Sequence, residues 1–481
     1  MYQKGKVKMG NTNYIAAIEL SSSKISGTVG IETYDGIKIL AAASMPVEGF
    51  ISKGVVRNVD ETSNAINCII NSLESSLDNV DIKKVYVSLS GLTIRSVKSK
   101  VTRNYDDYTK ITPEIVNGMA EENDETFTAP EGYTRVQVVN QEYRLDGKID
   151  NNPIGAPTMT IEGNYLNIIM KEQYLKQLND SFAQAKIEIA DSFNAARMDA
   201  DIMLSKDARR NGCALVNIGA ETTTIAIYNN DILRMQTVLP LGSRNITLDL
   251  CSEHISYDEA EEIKITRGYK PQGNENGPID TELTNSIINA RMSEILQNAR
   301  YQIEESGEFV SHIVFTGGGS KLKNLDMLLQ EFMPNFKTEI ISEPNFNLIS
   351  SSNVNINGVF STALYGLLKQ GKENCCEDHK TFVAPSPVEN NIFADEVIEE
   401  IQNDDIMTQK AENDEKKRKQ QAEEERKRKE IEDKKRKKAE QKKQNSPGLF
   451  DKIFSKIMTG TQDIIDNITE DEGEYNYDDE R

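Results

Sequence analysis

The sequence predicts an α/β protein of two lobes with a small inserted subdomain, followed by a polar tail and a terminal amphipathic helix. Three observations carry this. Short apolar runs bounded by Gly, Asn and Asp turns alternate with helix-period segments over residues 13–371. A strand, tight polar turn, strand pattern occurs twice, at residues 14–31 and 213–228. Beyond residue 371 the composition turns abruptly to charge.

The chain has 481 residues, long enough for two or more globular units with an appendage. Its formal net charge of -21 argues against nucleic acid as a partner, because phosphate backbones need a basic field. Five cysteines stand at no metal-ligand spacing and read as reduced thiols; the adjacent Cys375 and Cys376 are expected to be exposed tail thiols. The three histidines suggest no catalytic dyad. No signal peptide is expected, and no run approaches the roughly 20 apolar residues of a membrane-spanning helix, so a soluble or peripheral protein is expected.

The first lobe begins with an apolar run at residues 14–20. Two strands, 25–31 and 37–42, follow, joined at Asp35-Gly36. Asp60 is expected to cap a helix bearing Ile66, Ile69, Ile70, Leu73 and Leu77 at helical spacing. A buried strand at 85–89 ends at Ser90-Gly91. Lobe 1 thus spans 13–91, is interrupted by a turn-rich subdomain at 92–172, and resumes at 173–211 with a helix over 173–185. Lobe 2, 212–357, holds strands 213–218 and 223–228, a long helix carrying Leu283, Ile287, Ile288, Ile295, Ala299 and Ile303, and strand 312–315. Residues 358–371 form an apolar helix returning to lobe 1.

The tail divides into a disordered linker (372–415), a charged spacer (416–444) and an amphipathic helix (446–468), with an acidic end (469–481). In the spacer, Glu423/Lys427, Glu424/Arg428 and Glu430/Lys434 place acid four residues before base, each pair supporting a helix by about 0.2–0.5 kcal/mol; a polybasic membrane patch is the alternative. In the last helix Leu449, Phe450, Ile453, Phe454, Ile457 and Met458 form one apolar stripe, continued by Ile464, Ile465 and Ile468. Such a stripe after a long polar linker fits a membrane interface, with a protein groove as the alternative.

The two turns, Glu19, Ser21, Ser22, Ser23 and Lys24 in lobe 1 and Asn217, Gly219, Ala220, Glu221, Thr222 and Thr223 in lobe 2, suit a nucleotide polyphosphate held across a cleft. Small residues let amides approach phosphate, while hydroxyls and a carboxylate hold a metal's water shell. The loop Thr316-Gly317-Gly318-Gly319-Ser320 offers bare backbone to an adenine or ribose.

In order and spacing these segments resemble the actin, heat-shock chaperone and sugar-kinase superfamily, and within it the FtsA family of bacterial cell-division proteins, over roughly residues 13–371. The resemblance rests on Ala17-Ile18-Glu19-Leu20, Lys84-Val85-Tyr86-Val87-Ser88-Leu89-Ser90-Gly91, Leu215-Val216-Asn217-Ile218-Gly219, Ala260-Glu261-Glu262-Ile263-Lys264 and Phe315-Thr316-Gly317-Gly318-Gly319, and on the position of the insert. It implies an actin-like fold of ribonuclease H-like repeats and ATP with Mg2+ in the cleft, Glu19 acting on the metal through water. It implies Glu261 and Lys264 at ribose and adenine, where the residues alone read equally as a surface pair. It further implies self-association into filaments, partnership with FtsZ and other division proteins, and attachment to the inner-membrane lipid surface on its cytoplasmic side at the division site.

This chain departs from the family pattern at several points. Glu19 replaces an Asp, Ser21 a Gly, Asn217 an Asp, and Thr224 often a second Asp; Ala220 and Glu221 stand where glycines are common. An amide cannot act as a carboxylate, so hydrolysis is expected to be slow or absent. No carboxylate is recognisable in the sequence as a general base. The alternatives are a superfamily kinase or ATPase with a regulatory tail, and a pilus-assembly actin-like adaptor.

Overall fold

The computed structural model describes residues 13–77, 80–270, 279–341, 348–350 and 361–378. The expected linker beyond residue 378, the spacer, the amphipathic helix with its stripe at 449–458 and the acidic end lie outside the described residues.

The first lobe opens with three antiparallel strands, β1 (Ile15–Leu20), β2 (Lys24–Thr33) and β3 (Gly36–Pro46). Gly36 closes the second turn at φ 130°, a conformation L side chains rarely adopt. The short hairpin β4 (Ile51–Ser52) and β5 (Val55–Val56) leads into helix α1 (Val59–Glu74). Its cap is Asn58 rather than the expected Asp60. The Asn58 side chain accepts from the Glu61 amide at 3.2 Å and donates to the Glu61 carboxylate at 2.8 Å, and Asp60 lies in the first turn. Strand β6 (Val80–Ile82) then precedes β7 (Lys84–Leu89), which pairs parallel to β1, as a helical crossover allows.

The insert leaves and returns on adjacent antiparallel strands, β8 (Arg95–Lys110) and the fourth of its strands. Between them lie α2 (Pro113–Thr126), β9 (Tyr133–Leu145) and β10 (Lys148–Asp150); β11 (Pro157–Lys171) completes a sheet in the order β10-β9-β11-β8. Val101, Ile111, Met119, Tyr143, Ile161 and Tyr165 give it a core of its own. It also docks on lobe 2. Gln141 donates to the Leu233 carbonyl at 3.0 Å and buried Arg234 to Glu142 at 2.8 Å.

Lobe 1 resumes with α3 (Glu172–Gln184), β12 (Glu188–Asn194), α4 (Ala195–Met203) and α5 (Lys206–Arg210). Lobe 2 repeats the opening meander with β13 (Cys213–Ile218), β14 (Thr223–Asn229) and β15 (Ile232–Leu239). Helices α6 (Arg244–Cys251), α7 (Tyr257–Thr266) and α8 (Thr281–Glu305) cross to β16 (His312–Thr316), which is parallel to β13. Helix α9 (Leu325–Phe332) leads to β17 (Lys337–Ile340). The second sheet, β15-β14-β13-β16-β17, matches β3-β2-β1-β7-β12 of the first strand for strand. This is the two-repeat, two-lobed α/β architecture expected from the sequence.

Strand alternation along β13 joins the lobes. Ala214, Val216 and Ile218 face the lobe 2 core with Ile288, Met292 and Ile295 of α8. Cys213 and Leu215 face the core shared with lobe 1. The chain returns through β18 (Leu348–Ser350) on β3 and α10 (Thr362–Gln370), capped by Ser361.

The head continues past residue 371. The Cys375 amide donates to the Tyr14 carbonyl at 2.8 Å, and β19 (Cys376–Asp378) pairs antiparallel with β6. Cys375 and Cys376 are therefore buried, at 1% and 5% exposure, and are not exposed tail thiols. Their backbone satisfies an edge that β6 would otherwise leave open, and the apolar thiols suit that position. In native full-length protein Ellman's reagent should react rapidly with exposed Cys68, and with Cys375 and Cys376 only after denaturant is added. Rapid native reaction of the Cys375-Cys376 pair would contradict the packed return strand.

Candidate functional site

A cleft of about 840 Å³ opens where the two meanders face each other, and three loops built on strand ends line it. The first follows β1. Ser21 folds it into a tight turn, its amide and hydroxyl both donating to the Lys24 carbonyl at 3.1 and 2.8 Å. Ser22 faces the β4–β5 hairpin, where its hydroxyl accepts from the Gly54 amide at 2.7 Å.

The second loop follows β13, and the Gly219 amide donates to the Thr222 carbonyl at 2.8 Å. The start of α6 buttresses it, the Ser243 and Arg244 amides donating to the Gly219 and Ala220 carbonyls at 2.9 and 2.7 Å. The third loop follows β16 and rests directly on β13. Gly317 has φ 90°, and a Cβ there would fall 2.2 Å from Asn217 Oδ1; a Cβ on Gly319 would fall 2.4 Å from the Ile218 side chain. Only glycine permits this approach. Gly318 has open space on its Cβ side and lines the cleft.

Fifteen of the expected residues line the cleft together: Glu19, Ser21, Ser22, Ser23 and Lys24; Asn217, Gly219, Ala220, Glu221 and Thr222; Glu261 and Lys264; and Gly317, Gly318 and Gly319. Thr223 and Ser320 do not. Both are buried behind it, their hydroxyls donating to the Leu241 and Gly317 carbonyls at 2.8 Å, so they shape loops and present no hydroxyl to the cavity. Glu261 and Lys264 are joined at 2.7 Å, and both bond the Thr247 hydroxyl, at 2.6 and 2.9 Å. Lys264 is nearly buried, leaving Glu261 as the more accessible of the two.

Glu221 and Arg244 form one set of contacts across the cleft. Glu221 of lobe 2 accepts from the Lys53 amide of lobe 1 at 2.6 Å and from Arg244 at 2.5 Å, and Arg244 donates onward to the Ser22 carbonyl at 3.1 Å. Burial would raise the Glu221 pKa, but the Lys53 amide and the Arg244 guanidinium outweigh it and hold the carboxyl below its usual range.

Three polar residues absent from the sequence reading complete the floor. Asp199 of α4 is 4% exposed; it accepts from Asn217 Nδ2 at 2.7 Å and from the Thr362 hydroxyl at 2.5 Å. The Ser361 hydroxyl donates to Glu19 at 2.5 Å. The one legible signal was an acid on an apolar stripe, since Asp199 falls at helical spacing between Ala196 and Met203. The cleft therefore holds Asp199 beside Asn217, in addition to the expected Glu19, Glu221 and Glu261.

Both acids are pushed above the usual carboxylate range. Burial is the main cause for each; the Ser361 hydroxyl opposes it at Glu19 and Asp199 adds repulsion, while Thr362 and Asn217 oppose it at Asp199. Lys24 beside them is lowered, by burial first, against the pull of Glu19.

The model of the family described as cell division protein FtsA matches residues 214–356. The FtsA of Porphyromonas gingivalis is 29% identical over 336 residues, covering 65% of this chain and 69% of that protein. The FtsA of Bacillus subtilis is 25% identical over 361 residues, covering 70% and 80%. Among solved structures, the PilM-PilN type IV pilus biogenesis complex aligns over 74% of this chain and 98% of its own with a TM-score of 0.55 and 15% identity, a likeness of fold alone. These matches bear out the resemblance to FtsA and the actin-like fold.

A carboxyl whose pKa is raised by folding contributes stability that is complete below its unfolded value, near pH 4, and is lost as pH rises through the raised folded value. Replacing Glu19 by Gln removes the charge while keeping an acceptor for Ser361. Without ligand, Glu19→Gln should melt about 2 °C above wild type at pH 8, the scale of one relieved kcal/mol in a large domain. The gain should vanish at pH 4. A gain confined to acid pH would contradict the assignment.

Proposed function

We propose that this chain, which resembles the FtsA cell-division proteins and has an actin-like head, binds ATP with Mg2+ in the interlobe cleft, self-associates, and tethers an FtsZ filament to the cytoplasmic face of the inner membrane through residues 446–468. The observation that carries the nucleotide reading is the convergence of three backbone loops on one cleft. The turns after β1 and β13 oppose each other, and Gly318, after β16, leaves open backbone at the cleft. Amides in such turns bind phosphate oxygens without needing a cationic surface, consistent with a chain of net charge -21.

In this reading the triphosphate lies between Ser21–Ser23 and Gly219–Thr222. Glu261, held by Lys264 and Thr247, meets the ribose, and the base rests on Gly317–Gly319. Bound Mg2+ would neutralise phosphate charge, with Glu19 addressing its water shell.

Attachment rests on the tail's apolar stripe. Each buried side chain contributes about 1.5–3 kcal/mol, so the six from Leu449 to Met458 support reversible binding after ordering costs, and self-association multiplies it. The described head contains no helix long and apolar enough to cross a membrane.

Purified FtsZ filaments should co-sediment with anionic-lipid vesicles only when the full chain is present. Phe450→Glu with Phe454→Glu places two charges in the stripe and removes two rings, so it should reduce that recruitment at least about tenfold at both low and high salt. Recruitment by the double variant at the wild-type level would overturn the stripe as anchor. Recruitment lost only in high salt would assign the anchor to the basic spacer at 416–443.

A further inference from the structure

The pattern of the FtsA family places a carboxylate on the strand that here carries Asn217, and this chain has an amide there. The structure puts a carboxylate against that amide from a different element. Asn217 Nδ2 donates to one oxygen of Asp199 at 2.7 Å, and Thr362 donates to the other at 2.5 Å. The orientation of the amide is fixed by this bond, since its Oδ1 lies against Gly317 on the far side. Asp199 lines the cleft, is 4% exposed, and has two neutral hydrogen-bond partners. Repulsion from Asp199 helps to raise Glu19, and the residue before Thr362, Ser361, holds Glu19 as Thr362 holds Asp199. Consecutive hydroxyls at the start of α10 therefore aim two carboxylates at one floor.

We propose that Asp199, on α4, supplies the charge that β13 lacks, and that Asp199 with Glu19 receives the divalent cation arriving with a nucleoside triphosphate. The proposal rests on the nucleotide reading above. Two buried like charges without a cation destabilise one another, and a dication between them and a triphosphate relieves both. Mg2+ commonly takes one or two carboxylates together with substrate phosphates and retains waters, which is the set available here. Among the described residues no group of three or more His, Cys, Asp or Glu side chains could hold a metal without the nucleotide.

The pairing reverses the outcome of the obvious repair. Asn217→Asp sets two carboxylates at hydrogen-bond distance, where one must keep a proton, so it adds no usable charge. Asp199→Asn leaves two facing amides and one acid on the floor. The double change Asp199→Asn with Asn217→Asp restores the pair in the opposite sense.

Calorimetry of the full chain with ATP, in Mg2+ and in EDTA, tests this, with thermal melts showing that each variant is folded. Wild type should bind at least about tenfold more tightly with Mg2+, a difference of 1.4 kcal/mol. Asp199→Asn should cut that ratio below about threefold without weakening the metal-free affinity. Asn217→Asp should not exceed wild type, and the double variant should regain the wild-type ratio within about threefold. An undiminished ratio in Asp199→Asn, or an increase in Asn217→Asp alone, overturns the proposal. A folded wild type that binds no ATP at millimolar concentration, with or without Mg2+, overturns the nucleotide reading beneath it.

Discussion

Glu221 reaches from the turn after β13 to the Lys53 amide of the opposite lobe, while Arg244, which it holds at 2.5 Å, bonds the Ser22 carbonyl. This set of contacts fixes the distance between the two turns, and the geometry of the cleft depends on it. It uses a carboxylate and a guanidinium that are each about four-fifths buried. Their geometry must satisfy both, because an unpaired buried charge costs several kcal/mol. The residues that shape the turns themselves, Ser21 and Gly219, act locally; among the described residues the Glu221–Arg244 pair ties the turns to each other.

Around that pair the molecule repeats one idea twice. Each lobe is an antiparallel meander extended by parallel strands through helical crossovers, and each ends its first strand at the cleft. The shared core through Leu215, Tyr228 and α10 holds the two copies together on the side opposite the opening. The insert adds a second bridge, because β9 reaches β15 through Gln141 and Glu142 and β8 through Ser96 and Gln236. Gln236 also bonds Asn194, the residue that caps α4, so the insert contacts the helix bearing Asp199 through a chain of side-chain amides.

Much of this was legible without coordinates, for identifiable reasons. Strand–turn–strand units announce themselves through local chemistry. Asp35-Gly36 and the turn at 229–231 gave their hairpins because the strained positions need particular residues. The glycine loop was readable for the same reason. Local signals misplaced the cap of α1, since Asp60 and Asn58 both suit the role and only the reciprocal contact with Glu61 decides between them. Cys375 and Cys376 were misread because their burial comes from pairing with β6, almost 300 residues earlier. The acid on the apolar stripe of α4 did not by itself identify Asp199 as a site residue, because its partners, Asn217 and Thr362, lie on two other elements. Composition and periodicity describe neighbours along the chain; a buried carboxylate is defined by neighbours in space.

In the proposed function one ligand is held between turns belonging to opposite lobes. Hydrogen–deuterium exchange of the full chain, with and without Mg·ATP, measures this at the amides concerned. Exchange should slow in three separated stretches, residues 20–24, 219–224 and 317–319, with the insert's outer strands unchanged. Protection confined to one lobe, or absent from all three loops while ATP is bound, would contradict it.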